Sequence, residues 1–451
     1  MIGITGCSVY VPRYRLRRET VAQAWGSPPV PGCKAVRNYD EDSLTMGQTA
    51  AWSLVQDAQS IESLYFASTT APYWQRSASS LIAASCDLPG RVATADFAGS
   101  LRCGMTALRI ALACGKSALI VAADARDGAP ESAEELAFGD AAAAIRVGAE
   151  DPLAEVIAAG SSSDDFPDEW RRDTDAHVHS FASKYSTVRG YEEQVAGLGR
   201  TLLRDAGVQP GAVARLALMA PDARAHLAAA RALGIAVERI EDPRLVDIGI
   251  TGAAMPLLVL AHALDHSTPG DVILAIGYGD GADGLLLRVR NTGPALKSDA
   301  HAIEHGSYPL YRKLRDIHKT EGVAPEISNV LLRHEEPQNV RLHGSFCPRC
   351  HAMNFPIATV CASCRNASGL TDKPLGRRGR LFTFTKDFLY DAPAKPTVMA
   401  VVDLDGGGRF LCQMTDADPD AVEIGMEVEL VLRRMRESAA DHHYYWKCRP
   451  V

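Results

Sequence analysis

The sequence has no apolar run long enough to cross a bilayer, for which a helix needs about 20 mostly apolar residues. It also has no excess of positive charge. Its 47 Lys and Arg stand against 55 Asp and Glu, and a net charge of −8 leaves no electrostatic footprint for nucleic acid. The opening residues, MIGITGCSVYVPRYRL, alternate like a strand and lack the basic region, apolar run and small-residue cleavage site of a signal peptide. A disulfide framework is missing too: the 11 cysteines are scattered and four of them form a metal-type pattern, a usage that suits a reducing cytoplasm. What is present is ordinary for a soluble globular protein, 47% hydrophobic and 23% charged residues. A length of 451 residues allows two to three domains around a large core.

One stretch organises the rest. Residues 92–124, VATADFAGSLRCGMTALRIALACGKSALIVAAD, read as strand, Gly-Ser turn, helix, Gly turn and strand. Positions 103–114 are nearly all small or apolar, with Arg109 the only charge, so this helix is expected at the centre of a large domain. Residues 245–277, LVDIGITGAAMPLLVLAHALDHSTPGDVILAIG, repeat the pattern: Gly99 and Met105 match Gly249 and Met255 at the same spacing, and Leu108 matches Leu258. A repeat of this length sets the architecture. It predicts two packed βαβ-type halves, each contributing one central helix.

The chemistry-bearing candidates cluster around these turns. Cys103 lies at a helix start, where backbone N–H groups favour a thiolate or an anion. It reads either as a nucleophile or as a small buried apolar residue. Asp222 and His226 follow a strand end; His226 is a candidate base or an exposed residue of a helix start. Gly279-Asp280-Gly281 lets the backbone approach a ligand closely, or is a plain turn. Arg171, Arg172 and Arg224 would meet a phosphate-bearing substrate or stay solvated.

The C-terminal part has another character. Cys347/Cys350 and Cys361/Cys364 form two CxxC pairs ten residues apart, a spacing that completes a closed, structural Cys₄ zinc shell. From 380 onward, short alternating runs and the hairpin signal Asp405-Gly406-Gly407-Gly408 predict a small antiparallel β-barrel.

Four features together carry a family likeness: the opening GITGCSVYVPRYRL, Asp40-Glu41-Asp42-Ser43 before a helix, Phe138-Gly139-Asp140-Ala141-Ala142, and Gly277-Tyr278-Gly279-Asp280-Gly281. Residues 1–290 resemble the thiolase superfamily, in its hydroxymethylglutaryl-CoA synthase and ketoacyl synthase III branch. From about 344 the chain resembles the DUF35-type zinc-ribbon and OB-fold module that accompanies such enzymes. The likeness implies an α/β protein with a duplicated five-layer αβαβα domain. The expected boundaries are 1–165 and 166–290 for the two halves, 291–343 for a linker with a short helix near 309–318, 344–370 for the ribbon and 371–451 for the OB-fold. It places the family's catalytic cysteine within Gly99–Leu101, its glutamate near Thr69, its histidine near Met219 and its asparagine near Ile250, and none of these is the residue the family uses. It implies a cytoplasmic enzyme that makes or breaks a carbon–carbon bond on an acyl-CoA thioester, by Claisen or aldol chemistry, with zinc as a structural metal. The expected catalytic residues are Cys103, Ser100, Tyr73, Asp222 and His226; Gly99, Arg171, Arg224, Tyr278, Gly279 and Asp280 are expected at the substrate. A homodimer is implied. The alternative is a catalytically degenerate CoA-binding subunit that partners an active thiolase. Neither a membrane nor a nucleic acid is expected as a partner.

Overall fold

The computed structural model describes all residues except 1, 182, 294–295, 297–301, 316–328, 390–394 and 436–441. Its first unit comprises Met1–Arg37, Asp42–Ala83 and Leu88–Tyr308. The strands and helices that matter there are β1 (Gly3–Tyr10), α1 (Ser43–Trp52), β2 (Ser63–Ala67), β3 (Ala93–Phe97), α2 (Cys103–Cys114), β4 (Ala118–Asp124), β5 (Ala141–Gly148) and β6 (Ala154–Ser163). A short hairpin of β7 (Glu169–Trp170) and β8 (His179–Ser180) follows, then α3 (Glu193–Asp205), β9 (Val213–Leu218), α4 (Ala223–Leu233), α5 (Met255–Asp265), β10 (Val272–Tyr278) and β11 (Gly281–Val289).

The described strands form a sheet in the order β9-β10-β11-β6-β1-β5-β4-β2-β3. The order is nearly mirrored about the β6–β1 seam, where only Gly3↔Glu155 and Ile4↔Ala154 pair. A parallel bridge from Leu216 to Ile240 stands where the second half would carry its counterpart of β3. The expected duplication is therefore real, and its turns superpose in conformation: Gly99 has φ +87° and Gly249 φ +88°, in the left-handed region that only glycine enters without strain. β6 pairs with β11 from Ala154↔Val289 to Ser163↔Gly281.

Layering follows from side-chain alternation. Helix α1 covers the outer face of β4 and β5, α3 covers that of β10, β11 and β6, and α4 packs against α3 in the same apolar cluster. Between the two half-sheets lie α2, packed on β2, β4 and β11, and α5, packed on β9, β5 and β1. Helix α5 is the fully buried copy: Met255 to Ala261 are all buried. Helix α2 is corrected in part, because Ala113 and Cys114 at its end are exposed. The two helices meet at a glycine. A Cβ on Gly104 would stand 2.7 Å from the Ala253 carbonyl oxygen and 3.0 Å from Ala122 Cβ.

The second unit comprises Asn38–Glu41, Ala84–Asp87 and Pro309–Val451. It thus begins within the expected linker, near helix Tyr308–Leu314, and draws in two early segments; the rest of the helix expected to 318 lies outside the described residues. Strands β12 (His343–Phe346), β13 (Met353–Asn354) and β14 (Thr371–Pro374) form the ribbon sheet. Strands β15 (Arg378–Asp387), β16 (Thr397–Leu404), β17 (Arg409–Gln413), β18 (Glu427–Arg434) and β19 (Tyr444–Pro450) form a sheet in the order β17-β16-β15-β18-β19, and Met414 bridges to Cys448 between its two ends, which makes a nearly closed barrel. Strands β18 and β19 also carry a buried charge cluster. Arg433 pairs with Glu41 and Asp416, and Lys447 Nζ lies 2.9 Å from Asp40. All five groups are buried. Asp40 and Glu41 are therefore held by cations. Asp42 alone serves the start of α1, as its N-cap in a capping box with Thr45.

Candidate active site

The carboxyl ends of β2, β4 and β10 and the starts of α2 and α5 converge in the middle layer. Alternation along β4 sends Ile120, Ala122 and then Asp124 toward this layer, while Leu119, Val121 and Ala123 face away; Val121 and Ala123 lie against α1. Asp124 is fully buried and organises the surrounding loops. Its Oδ1 accepts from Ser68 Oγ at 2.9 Å, Thr69 N at 2.7 Å, Thr70 N at 3.1 Å and Thr70 Oγ1 at 2.9 Å. Its Oδ2 accepts from Thr69 Oγ1 at 2.8 Å and from Ala253 N, at the approach to α5, at 2.7 Å. Six donors thus converge on the one carboxylate and tie the 68–70 loop to the approach to α5. Sequence reasoning overlooked Asp124; the signal was an acid closing the apolar strand ALIVAAD.

At the start of α2, Ser100 Oγ donates to the Gly279 carbonyl at 2.9 Å. A Cβ on Gly279 would lie 2.5 Å from Ser100 Oγ, 3.0 Å from Leu101 N and 3.2 Å from Arg102 N, so the glycine brings the backbone of the 278–281 turn directly onto the helix N-terminus. Ser100 and Gly279 are thus brought together, with Gly99 next to Ser100 in the chain. The helix is moored from behind. Asp283 takes Arg109 Nε at 2.7 Å and Thr106 Oγ1 at 2.5 Å.

Cys103 is the first residue of α2, but it lies inside the core. Burial raises its thiol pKa, and the nearby Asp124 carboxylate raises it further, so the helix start does not yield a thiolate. Leu101 and Ile250 pack against the same buried cluster that contains Cys103 and Met219. Thr69 is bound to Asp124.

Three expected residues fall elsewhere. Tyr278 alternates to the opposite face from Gly277 and Gly279; it packs edge-on against Tyr191, with ring centroids 5.4 Å apart, and bonds to Asp168. Asp222 caps α4, accepting from Arg224 N at 2.7 Å and Ala225 N at 2.8 Å. His226 sits in the first turn of that outer-layer helix, buried rather than exposed, with burial holding its imidazole down at about 4. A side chain in α4 packs on the outer face of the second half-sheet, which is why neither reaches the middle layer. Arg224 is exposed beside that cap. Tyr73 accepts a hydrogen bond from Arg76 at 2.9 Å, and Asp280 takes a left-handed φ of +49° in the Gly279 turn.

The insertion between the halves returns to this region. Arg171 Nη2 donates to the Thr69 carbonyl at 2.9 Å. Arg126, two residues past β4, is buried with its guanidinium 4.0 Å from the Phe138 ring centroid and ion-paired to Glu169 of β7.

In the second unit the sulfur atoms of Cys347, Cys350, Cys361 and Cys364 all lie within 4.8 Å of one another. The side-chain amides of Asn366 and Asn354 point at the sulfurs of Cys347 and Cys361, at 3.7 and 3.8 Å. The N–H groups of Cys364 and Ser363 help to bring the Cys361 thiol down to about 6. This donor set suits a tetrahedral, soft-metal shell with no open position.

Residues 372–433 match the family model of the ChsH2 C-terminal OB-fold domain. Hydroxymethylglutaryl-CoA synthase of Pyrococcus horikoshii is 30% identical over 337 residues, covering 70% of this chain and 96% of that protein. The corresponding synthase of Picrophilus torridus is 27% identical over 344 residues, covering 70% and 98%. Among solved structures, HMG-CoA synthase complexed with CoA shares the fold at a TM-score of 0.63 and 16% identity, covering 72% of this chain and 95% of that one. 3-Oxoacyl-[acyl-carrier-protein] synthase III from Aquifex aeolicus does so at 0.57 and 21%, covering 64% and 100%.

Proposed function

Because the chain belongs to the hydroxymethylglutaryl-CoA synthase family, we propose that it acts on an acyl-CoA thioester, making or breaking a carbon–carbon bond. One observation carries the choice of chemistry. The α2 start is clasped by the Gly279 turn through Ser100, yet the turn holds no cysteine, and burial keeps the Cys103 thiol protonated. A Claisen route through an acyl-cysteine needs an activated nucleophile. An aldol or retro-aldol step needs a site for the thioester oxyanion and groups that move a proton. We therefore favour the aldol type. The backbone N–H groups at the α2 start would receive the oxyanion beside Gly99, Gly279 and Asp280, with the Ser100 hydroxyl adjoining and Tyr73 and Arg171 on the surrounding loops. Cys103, Asp222, His226, Tyr278 and Arg224 have structural or surface positions in this reading.

The four clustered cysteines would hold one Zn²⁺ and brace the ribbon. The eleven free cysteines are in keeping with a reducing cytoplasm. A homodimer is supported by the sheet edge at β3, where Ala93 and Asp96 are exposed and one side of the strand lacks a partner among the described residues. No helix among the described residues is long and apolar enough to cross a membrane.

The test is turnover of an acyl-CoA panel in both the condensing and the cleaving direction. Ser100→Ala should cut turnover by more than about tenfold, whereas Cys103→Ala should keep it. An acyl group trapped on Cys103 would overturn the aldol reading. A second reading is favoured by the apolar residues Met219 and Ile250, near which the resemblance places a histidine and an asparagine: a CoA-binding subunit that partners an active thiolase. It predicts CoA binding but no turnover until a partner thiolase is added.

A further inference from the structure

We propose that Arg126 anchors a subsite for a carboxylate on the acyl group of the substrate, and that Glu169 is the protein's own stand-in for that carboxylate. The inference rests on the acyl-thioester reading above and adds the class of acyl group.

A Cβ on Gly252 would lie 2.2 Å from Asp124 Oδ2 and 2.7 Å from Arg126 Cδ. The stem of Arg126 therefore lines the approach to α5, beside the Asp124 hub. Its guanidinium rests on Phe138, whose backbone bridges to Ile250, the position where the resemblance places a catalytic asparagine. Arg171 stands at Thr69, the position of the family's glutamate. Two of the places where the family carries polar groups are thus flanked by guanidinium ions.

A guanidinium with a side-chain exposure of 3% needs an anion. Asp124 stands near, but its two oxygens are already taken by six N–H and O–H donors. Glu169 supplies the carboxylate, and it does so from outside. Its side chain is 25% exposed, and β7 is held to β8 by only two residue pairs. The hairpin is further held by Ser180 to Glu134 at 3.1 Å and by Arg171 to Thr69. Burial brings the Arg126 pKa down to about 10; the charge of Asp124 opposes that shift and the charge of Arg171 adds to it. Planar, bidentate pairing with a carboxylate is what a guanidinium does best. An acyl-borne carboxylate that enters as the hairpin yields would take the place of Glu169 on Arg126.

The experiment is calorimetric titration of the full chain with succinyl-CoA and with butyryl-CoA, which differ in the terminal carboxylate. The wild type should bind succinyl-CoA at least about tenfold more tightly. Arg126→Gln should abolish the difference. Because Arg126 is buried and its variant can misfold, Glu169→Gln on the exposed hairpin is the decisive companion: removing the built-in competitor should raise succinyl-CoA affinity several-fold and leave butyryl-CoA affinity within about twofold. Equal binding of the two thioesters by the wild type, or no gain in Glu169→Gln, overturns the subsite while leaving the acyl-CoA reading intact. Failure to bind either thioester overturns both.

Discussion

Asp124→Asn is the sharpest perturbation of the candidate site, because it changes charge and donor pattern but hardly changes volume. The asparagine has two orientations. With its NH₂ in the place of Oδ1 it would face the backbone N–H groups of Thr69 and Thr70, two donors that cannot turn away. With its NH₂ in the place of Oδ2 it would face the Thr69 hydroxyl, which can rotate and accept, and the Ala253 N–H, which cannot. The second orientation should win. It loses one charge-assisted hydrogen bond and leaves a buried N–H unpaired, while four hydrogen bonds weaken as their acceptor becomes neutral. One such loss is worth about 1.5–3 kcal/mol, so the expected cost is about 2–4 kcal/mol. Urea unfolding of the full chain should report it as a lower midpoint at an unchanged slope. Asp124→Ala should cost more, since it orphans every donor. Acyl-CoA binding should fall as well, because the hub ties the Thr69 loop to the approach to α5. An Asp124→Asn protein within about 0.5 kcal/mol of wild type would show that the donors find water or other acceptors, and that Asp124 does not organise the site.

Four further outcomes are expected. Gly104→Ala should destabilise by about 1–3 kcal/mol in thermal melts, since its Cβ would meet the Ala253 carbonyl at 2.7 Å; an unchanged melting temperature would show that α2 and α5 are not in close contact. Arg433→Met should cost about 3–5 kcal/mol by taking away the guanidinium that the buried Glu41 and Asp416 carboxylates share, and adding Glu41→Gln should recover part of it; additive losses would rule out the pairing. Burial keeps His226 neutral down to about 4 instead of 6.5. The unfolded chain therefore binds that proton first, so stability is intact above 6.5 and falls by about 1.4 kcal/mol per unit as pH drops toward 4, a slope that His226→Gln should remove. Metal analysis should find about one Zn²⁺ per chain, lost in Cys361→Ser; a full-length protein with much less than one would contradict the ribbon site.

Much of the architecture was legible because repetition and spacing are properties of sequence. The Gly99/Met105 and Gly249/Met255 correspondence announced the duplicated halves, and matched φ angles realise it. The CxxC pairs announced the metal-type cluster, since each pair is local and only the two pairs must meet. The alternating runs from 380 onward announced the barrel.

Which side chains share a site is a different kind of fact. Tyr278 stands between two glycines that face α2, and strand alternation alone turns it to the other layer. Asp222 and His226 sit on an outer helix, so closeness in sequence to a strand end did not bring them to the middle layer. Asp124, Arg126 and Glu169 became a site only when β4, the 68–70 loop, the start of α5 and a distant hairpin closed on one another. By itself the sequence determined the repeat, the metal-type cysteines and the missing cysteine at the Gly99 turn, all of which are local or periodic. Only the tertiary structure decided that Cys103 is buried and protonated, that Asp40 and Glu41 serve the barrel, and that Arg126 meets Glu169, because desolvation and ion pairing depend on which residues the fold places side by side.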